Sequence, residues 1–150
     1  MDHSQKAYDL FMEGYNCSQA VFASFCDITG LDLDLALKLS SSFGGGIGRL
    51  REVCGAVSGM LMAAGVIYGY NDPKDHIAKS EHYKRVQELA YKFAEENGSY
   101  ICRELLGLEG ASDPNSPKRT KEFFEKRPCH ELCRTAAKLL DDYINEYGIN

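Results

Sequence analysis

Residues 53–70 read VCGAVSGMLMAAGVIYGY and form the predicted centre of the fold. It contains no formally charged residue, and its length just reaches what a membrane span needs. Four glycines and Ser58 interrupt its apolar character, and the other predicted helices are amphipathic, which favours a buried helix over a membrane span. Gly55, Gly59 and Ala63 recur every fourth residue and form one face on which a neighbouring backbone can pack closely.

The rest of the chain has apolar residues at helical spacing and no sustained strand-like alternation. Helix-start residues such as Asn16 and Asp72, and helix-ending glycines such as Gly30 and Gly98, divide it into further helices. The predicted helices cover residues 4–12, 17–29, 32–39, 73–97, 102–106 and 129–147. We therefore predict an all-α, single-domain bundle over residues 1–150, with about six helices around the buried helix 53–70.

Two segments of the C-terminal half are predicted to lie at the surface. Residues 107–121 are rich in Gly, Ser, Asp and Pro and form the longest predicted loop, which we expect to be mobile. The charged segment 118–126 is predicted to be solvated.

The composition limits the functions that the chain can have. Its 150 residues, 44% of them hydrophobic, suffice for one compact domain. The net charge of −5 provides no Lys/Arg surplus to displace counterions from phosphates, so nucleic acid is excluded as a partner. Residues 1–6 contain no positive segment leading into an apolar run, so no secretory signal is visible and a cytoplasmic location is predicted.

Six cysteines are many for a chain of this size, and in a reducing compartment they indicate redox chemistry or metal binding. They form no CxxC pair, no CxxCH haem-attachment site and no zinc-finger spacing. Four of them lie at predicted helix beginnings, namely Cys17, Cys54, Cys102 and Cys129. Unpaired backbone N–H groups at helix starts favour thiolates, so we expect lowered pKa values there. Nearby positive charge also favours thiolates and lower pKa values, and it comes from Arg49, Arg51, Arg103, Arg127 and His130.

The remaining cysteines and the histidines are predicted to have structural roles. Cys26 and Cys133 fall at apolar positions inside helices, where cysteine behaves as a small hydrophobic residue. Cys133 lies one turn after Cys129, so it is also a candidate resolving thiol. The four histidines show no metal-ligand spacing and are expected at the surface.

A glycine-rich run precedes Cys54 and is a second candidate binding element. Its residues Gly44, Gly45, Gly46, Gly48 and Arg49 could cradle the anionic group of a cofactor at the start of the next helix. The run lacks the Gly-Lys-Ser/Thr ending of a P-loop and the third glycine of a dinucleotide fingerprint. A better use of the glycines is to let the chain pass close over the next cysteine and offer N–H groups to its sulfur.

Several stretches together resemble the C_GCAxxG_C_C family of redox-active proteins, and the resemblance spans nearly the whole chain. They are residues 14–21 (GYNCSQAV), 43–49 (FGGGIGR), 54–59 (CGAVSG), 98–99 with 102–107 (GS and CRELLG), and Cys129 ahead of Ala136 and Ala137. The family signature, a CGAxxG element with three further cysteines, matches the four helix-start cysteines one by one. The resemblance implies redox activity and a neighbouring membrane transporter as partner. Relatives with covalent c-type haem have CxxCH elements that this chain lacks, so c-type haem is set aside.

Two functions remain open at the sequence level. In the first, a thiol oxidoreductase, Cys54 attacks as a thiolate and Cys17 resolves the adduct. In the second, Cys17, Cys54, Cys102 and Cys129 together bind zinc or an iron–sulfur cluster. A helical interaction domain with idle cysteines ranks last. The glycine face of the central helix and the many Tyr and Phe residues also leave room for a homodimer.

Overall fold

The structure is a computed structural model that describes residues 2–149, and it is all-α, with 70% of the chain helical. Within those residues a single antiparallel bridge, between Val53 and Ile101, is the extent of strand pairing. The nine α-helices of this part of the chain are α1 His3–Met12, α2 Cys17–Ser24, α3 Cys26–Thr29, α4 Leu33–Ser40, α5 Gly55–Tyr68, α6 His76–Asn97, α7 Cys102–Leu106, α8 Lys121–Lys126 and α9 Cys129–Tyr147.

Side-chain caps explain where most helices begin. Asn16 and Gln19 form a capping box at the start of α2, in which each side chain bonds the backbone N–H of the other residue. The prediction that α6 starts at residue 73 is wrong, because Asp75 rather than Asp72 bonds the first free N–H groups. The predicted helix 17–29 is also divided, since the backbone leaves the helical conformation at Phe25.

Helices α2 and α5 form the centre of the bundle. Every residue of α2 except Gln19 is buried, and α2 packs against α1, α4, α5 and α9. The predicted central helix is α5, and its glycine face lies against α2: a methyl group on Gly59 would come within 2.6 Å of the Ser18 carbonyl oxygen. The small residues of α5 therefore serve packing within the chain. No helix in residues 2–149 combines the length and apolar character needed to cross a bilayer.

The segment before Cys54 has an unusual backbone. Five consecutive residues, 45–49, have φ between 56° and 71°, and Arg51 also has a positive φ of 64°. Glycine adopts this left-handed conformation freely. At Ile47, Arg49 and Arg51 it costs about 1–2 kcal/mol of conformational free energy per residue. The loop is closed by the backbone N–H groups of residues 51 and 52, which donate to the carbonyl oxygens of residues 45 and 46.

Residues 107–126, which include the predicted loop and the predicted charged segment, are more ordered than the sequence predicts. Residues 121–126 form α8, which Thr120 caps, and Phe123 and Phe124 of α8 pack against the core. The prediction of a solvated segment at 118–126 is confirmed for its charged residues other than Arg119, which are exposed, and is wrong for this aromatic pair, which is buried in part. The preceding loop is tied down at Ser112, whose N–H donates to the carbonyl oxygen of Arg49.

Candidate functional site: a pocket lined by thiols and arginines

The four helix-start cysteines converge on one pocket with a volume of about 270 Å³. Three of them, Cys17, Cys54 and Cys102, are buried, and Cys129 is partly exposed. All six cysteines of the chain are free thiols. Apolar walls enclose the pocket, formed by Phe11, Leu105, Leu106, Phe123 and Leu132.

Each thiol reaches the pocket because a helix begins there. Cys17 is the first residue of α2, after the cap Asn16, and Cys129 is the first residue of α9, after Pro128. Cys102 opens α7, and Cys54 immediately precedes α5. The sequence prediction that these four positions are helix beginnings is confirmed, with Cys54 at the cap rather than in the first turn.

A short backbone pairing aligns two of these starts. The N–H of Cys54 donates to the carbonyl oxygen of Tyr100 at 2.9 Å, and the N–H of Cys102 donates to that of Glu52 at 2.6 Å. The two cysteines therefore flank the Val53–Ile101 bridge. This pairing holds the two thiols on the same side of the molecule although 48 residues separate them.

Cys17 is the thiol most strongly influenced by other thiols. The thiols of Cys129 and Cys133 act on its pKa as hydrogen-bond partners. The Cys133 thiol also points at the Cys17 carbonyl oxygen at 3.8 Å. Cys133 is fully buried, as the sequence predicted, but it belongs to the thiol cluster rather than to a separate part of the core. The sequence signal for this was its position one turn after Cys129.

The pKa values of the four thiols move in the opposite direction from the sequence expectation. Burial raises the pKa of Cys54 to about 12, although the backbone N–H groups of Ala56 and Val57 act to lower it. Burial likewise raises the pKa of Cys102, against the lowering contact from Arg51. Desolvation outweighs the helix starts because burial removes most of the water that would stabilise a thiolate.

The two thiols in mutual contact show the same direction. Contact with Cys17, followed by burial, raises the pKa of Cys129 far above its ordinary value. Contact with Cys129 acts to lower the pKa of Cys17, but contact with Cys133 and burial leave it well above its ordinary value. The expectation of lowered pKa values is therefore wrong for the fully reduced protein, in which all four thiols are neutral at pH 7.

The glycine-rich run lies against the thiols as predicted, but against different ones. Gly44, Gly45, Gly46, Gly48 and Arg49 all line the pocket. A methyl group on Gly46 would lie 2.7 Å from Cβ of Cys102, and one on Gly55 would lie 3.2 Å from Cβ of Cys17. The glycine-rich run therefore approaches Cys102, and Gly55 of α5 approaches Cys17. The N–H groups that act on the Cys54 sulfur come from the helix that follows it.

Arg51 is the most unusual residue of the site. Its side chain is only 2% exposed, although a guanidinium is normally hydrated. Its Nε donates to the Ser112 hydroxyl at 3.0 Å, and its Nη1 donates to the Cys102 sulfur at 3.6 Å. Its Nη2 is buried and has no hydrogen-bond partner among the described residues.

Three more arginines line the pocket, Arg49, Arg119 and Arg127. Arg119, which sequence reasoning missed, donates to the carbonyl oxygens of Phe11 and Tyr15 and stacks on the Phe11 ring. No sequence signal marked it, because it lies in the loop expected to be mobile.

Other residues named from the sequence lie away from the pocket. Arg103 forms an ion pair with Glu52, and His130 packs between the rings of Tyr8 and Phe124. Cys26 is only partly buried, so its prediction as a core residue holds only in part. The prediction of surface histidines is wrong for His3 and His82, which are both buried.

The structure gives no support for a preformed metal site. Among residues 2–149, no group of three or more His, Cys, Asp or Glu side chains is arranged to hold a metal ion. Although Cys17, Cys54, Cys102 and Cys129 share one pocket, they do not form the compact set of four ligands that the metal alternative requires.

The fold and the site define a class of protein: a small all-α domain with several reduced cysteines gathered at helix starts around one pocket. Residues 15–143 match the family described as "Putative redox-active protein (C_GCAxxG_C_C)", and the chain belongs to this family. No curated protein and no solved structure matches the chain.

Proposed function

We propose that the chain is a thiol oxidoreductase that forms and breaks a disulfide between Cys17 and Cys129. The observation that carries this proposal is that these two thiols line the same pocket and act on each other's pKa as hydrogen-bond partners. Two thiols in contact can become a disulfide with little backbone movement, whereas distant cysteines cannot. Membership of a redox-active family supports the same chemistry.

Cys129 is the thiol that meets the substrate. It is the one partly exposed member of the four, and both Arg127 and Arg51 act to lower its pKa, against the larger effect of Cys17 and burial. Cys17 lies behind it and resolves the mixed disulfide. The sequence-based assignment, with Cys54 attacking and Cys17 resolving, is the competing arrangement within the same pocket.

The raised pKa values indicate the direction of the reaction. A strongly oxidising dithiol is one whose reduced form is stabilised as a thiolate. Here the reduced form gains no such stabilisation, because burial disfavours the thiolates, while a neutral disulfide tolerates burial. We therefore expect the disulfide to have a low reduction potential, so that the chain acts as a reductant of its partner.

The test is to oxidise the reduced chain with a small disulfide, alkylate the remaining thiols and map the peptides by mass spectrometry. We expect a Cys17–Cys129 disulfide that dithiothreitol reverses. A reversible Cys17–Cys54 disulfide would support the competing arrangement instead. A protein in which all six thiols stay reduced under these conditions would refute the redox proposal.

Matched serine variants separate the site from the rest of the chain. Cys129→Ser is expected to abolish the reversible disulfide, whereas Cys26→Ser, which changes a thiol outside the pocket, leaves it intact. Elemental analysis of anaerobically purified protein checks the metal alternative. Stoichiometric zinc or iron that is lost in Cys17→Ser and Cys54→Ser would replace the redox proposal by a metal site.

A further inference from the structure

The charge of the pocket is opposite to that of the whole protein. The chain has a net charge of −5, yet four arginines and no Asp or Glu line the pocket. None of the four arginines forms an ion pair with a carboxylate within the described part of the chain. Clustered charges of one sign between low-dielectric walls raise the local concentration of ions of the opposite sign.

Arg51 makes this imbalance costly. A buried charge without a counter-ion is strongly destabilising, and proteins normally pair such groups. The Cys102 sulfur, 3.6 Å from Nη1, does not supply the missing charge, because burial keeps that thiol neutral. The unpartnered Nη2 leaves part of the guanidinium without any acceptor among residues 2–149.

The four arginines are not equally available to a ligand. Both Nη groups of Arg119 donate to backbone carbonyl oxygens, so this residue fastens the loop to α1. Arg49 uses only Nε, which donates to the carbonyl oxygen of Asp113. Arg127 is partly exposed and rests on the Phe123 ring, with no hydrogen-bond acceptor among the described residues. Arg49, Arg51 and Arg127 can therefore donate to a bound anion.

We propose that the redox substrate of this pocket is a small disulfide that carries oxyanion groups, carboxylate or sulfonate, which Arg51, Arg49 and Arg127 bind beside the Cys129 thiol. This inference rests on the proposed function. Guanidinium groups bind planar carboxylates and sulfonates through paired N–H donors. The apolar side chains that line the pocket can contact the carbon and sulfur atoms that lie between the two anionic groups of such a disulfide. The pocket volume of about 270 Å³ admits a small molecule.

The reaction balances without a further reagent. Cys129 loses its proton to water, and its sulfur attacks one sulfur of the substrate, RSSR. The substrate S–S bond breaks, a Cys129–SR bond forms, and RS⁻ leaves. Cys17 then loses its proton and attacks the Cys129 sulfur, which forms the Cys17–Cys129 bond and releases the second RS⁻. The protein is oxidised by two electrons, and the substrate takes up the two protons as two thiols.

The test compares small disulfides that differ mainly in charge. The reduced protein is oxidised by 3,3′-dithiodipropionate (anionic), 2,2′-dithiobis(ethanesulfonate) (anionic), bis(2-hydroxyethyl) disulfide (neutral) and cystamine (cationic). Each rate is divided by the rate for the chain unfolded in urea, which removes intrinsic differences in reactivity. We expect at least one of the two anionic disulfides to be favoured over cystamine by about tenfold or more in the folded protein. The two anionic arms show whether the pocket prefers carboxylate or sulfonate.

Two variants and an inert ligand locate the effect. Arg127→Gln is expected to reduce the preference several-fold, and Arg134→Gln, which makes the same change in net charge outside the pocket, is expected to leave it unchanged.

Suberate, which replaces the two sulfur atoms of 3,3′-dithiodipropionate by methylene groups, is expected to slow alkylation of Cys129 by neutral iodoacetamide if the pocket prefers carboxylate. The corresponding inert disulfonate, 1,6-hexanedisulfonate, takes its place if the pocket prefers sulfonate.

The outcomes separate this inference from the function on which it rests. Equal normalised rates for all the disulfides, or a preference for cystamine, would overturn the anion site while leaving the Cys17–Cys129 chemistry in place. Absence of a reversible disulfide with every reagent would refute the proposed function. An anionic preference that Arg134→Gln reduces as much as Arg127→Gln would show a general charge effect and would also overturn the anion site.

Discussion

Two of the buried side chains that can carry positive charge, His3 and Arg51, have very different surroundings. His3, at the start of α1, lies between two carboxylates: its Nδ1 is 2.5 Å from Asp141 and its Nε2 is 2.9 Å from Asp27. Its ring also stacks on Phe25. Arg51, in the thiol pocket, has one hydroxyl and one neutral thiol as side-chain partners and no carboxylate.

The difference separates a structural site from a functional one. The His3 cluster joins α1 to α9 and to α3, and its polar atoms are satisfied, so it contributes stability and offers nothing to a ligand. The Arg51 site is incomplete within the described chain and lies beside the Cys102 thiol. Local strain and unsatisfied polar groups concentrate where proteins bind or react.

The largest effect that we expect is a fall in the free energy of unfolding at alkaline pH, caused by the four thiols that line the pocket. The pKa values of Cys17, Cys54, Cys102 and Cys129 are raised in the folded state, so the fold favours the protonated thiols. Their contribution is complete below the unfolded pKa of about 8.5 and is lost as pH rises towards the folded values. Each thiol adds a slope of about 1.4 kcal/mol per pH unit, so the loss reaches several kcal/mol by pH 10.

Urea denaturation of the reduced protein at pH 7 to 10 measures this loss. The oxidised protein is the control, because the Cys17–Cys129 disulfide cannot ionise and the slope should be smaller. A free energy of unfolding that is independent of pH over this range would contradict the buried, neutral state of the thiols.

The next largest effect concerns the paired site. His3→Ala removes both side-chain contacts with carboxylates and the stacking on Phe25. It leaves Asp27 without its histidine partner, while Asp141 keeps the backbone N–H of residue 3. We expect a loss of about 3 kcal/mol, measured as the shift in urea midpoint at constant m-value. The normalised rate of disulfide formation should not change, since His3 does not line the pocket. A large change in that rate would erase the distinction between the two sites.

A third prediction tests the close approach of the glycine run to the thiols. A methyl group on Gly46 would meet Cβ of Cys102 and the backbone N of Glu52, each at 2.7 Å, and the positive φ of 67° would add backbone strain. Gly107, with φ of 68° and open space around it, is the matched control for the backbone strain alone. We expect Gly107→Ala to cost about 1 kcal/mol and Gly46→Ala to cost about 2 kcal/mol or more. Equal costs in thermal or urea unfolding would mean that the contact with Cys102 is readily relieved.

The smallest change in stability is expected at the unpaired site. Arg51→Met removes a buried charge without a counter-ion, so the lost hydrogen bonds and the relieved desolvation should nearly cancel, leaving a change under about 1 kcal/mol. The same substitution should raise the pKa of Cys102 further, because Arg51 is what lowers it. Alkylation of Cys102 against pH, followed by mass spectrometry, measures this shift. A loss of stability as large as that of His3→Ala would make Arg51 a structural residue like His3.

The sequence predicted the helix starts because their signals are local. Asn16, Pro128 and the glycines around Cys54 act within a few residues of the cysteines, and three of the four thiols at helix starts follow from them. The direction of the pKa shifts was not predictable, because it depends on how deeply the assembled fold buries each sulfur.

The surroundings of His3 and the burial of Arg51 were also not predicted from the sequence. His3 finds its partners 24 and 138 residues away, a pairing that no local pattern reveals. Arg51 enters the core through a left-handed backbone conformation that non-glycine residues rarely adopt, so its burial had no sequence signal.

The central claim, a two-electron thiol site in this pocket, is tested most directly by a redox titration of anaerobically purified protein. The protein is equilibrated with dithiothreitol buffers over a range of potentials, and the free thiols are counted by alkylation and mass spectrometry. We predict one reversible transition in which the number of free thiols falls from six to four and the Cys17–Cys129 peptide pair appears. Six thiols that remain free at every potential, or stoichiometric zinc or iron that masks four of them, would contradict it.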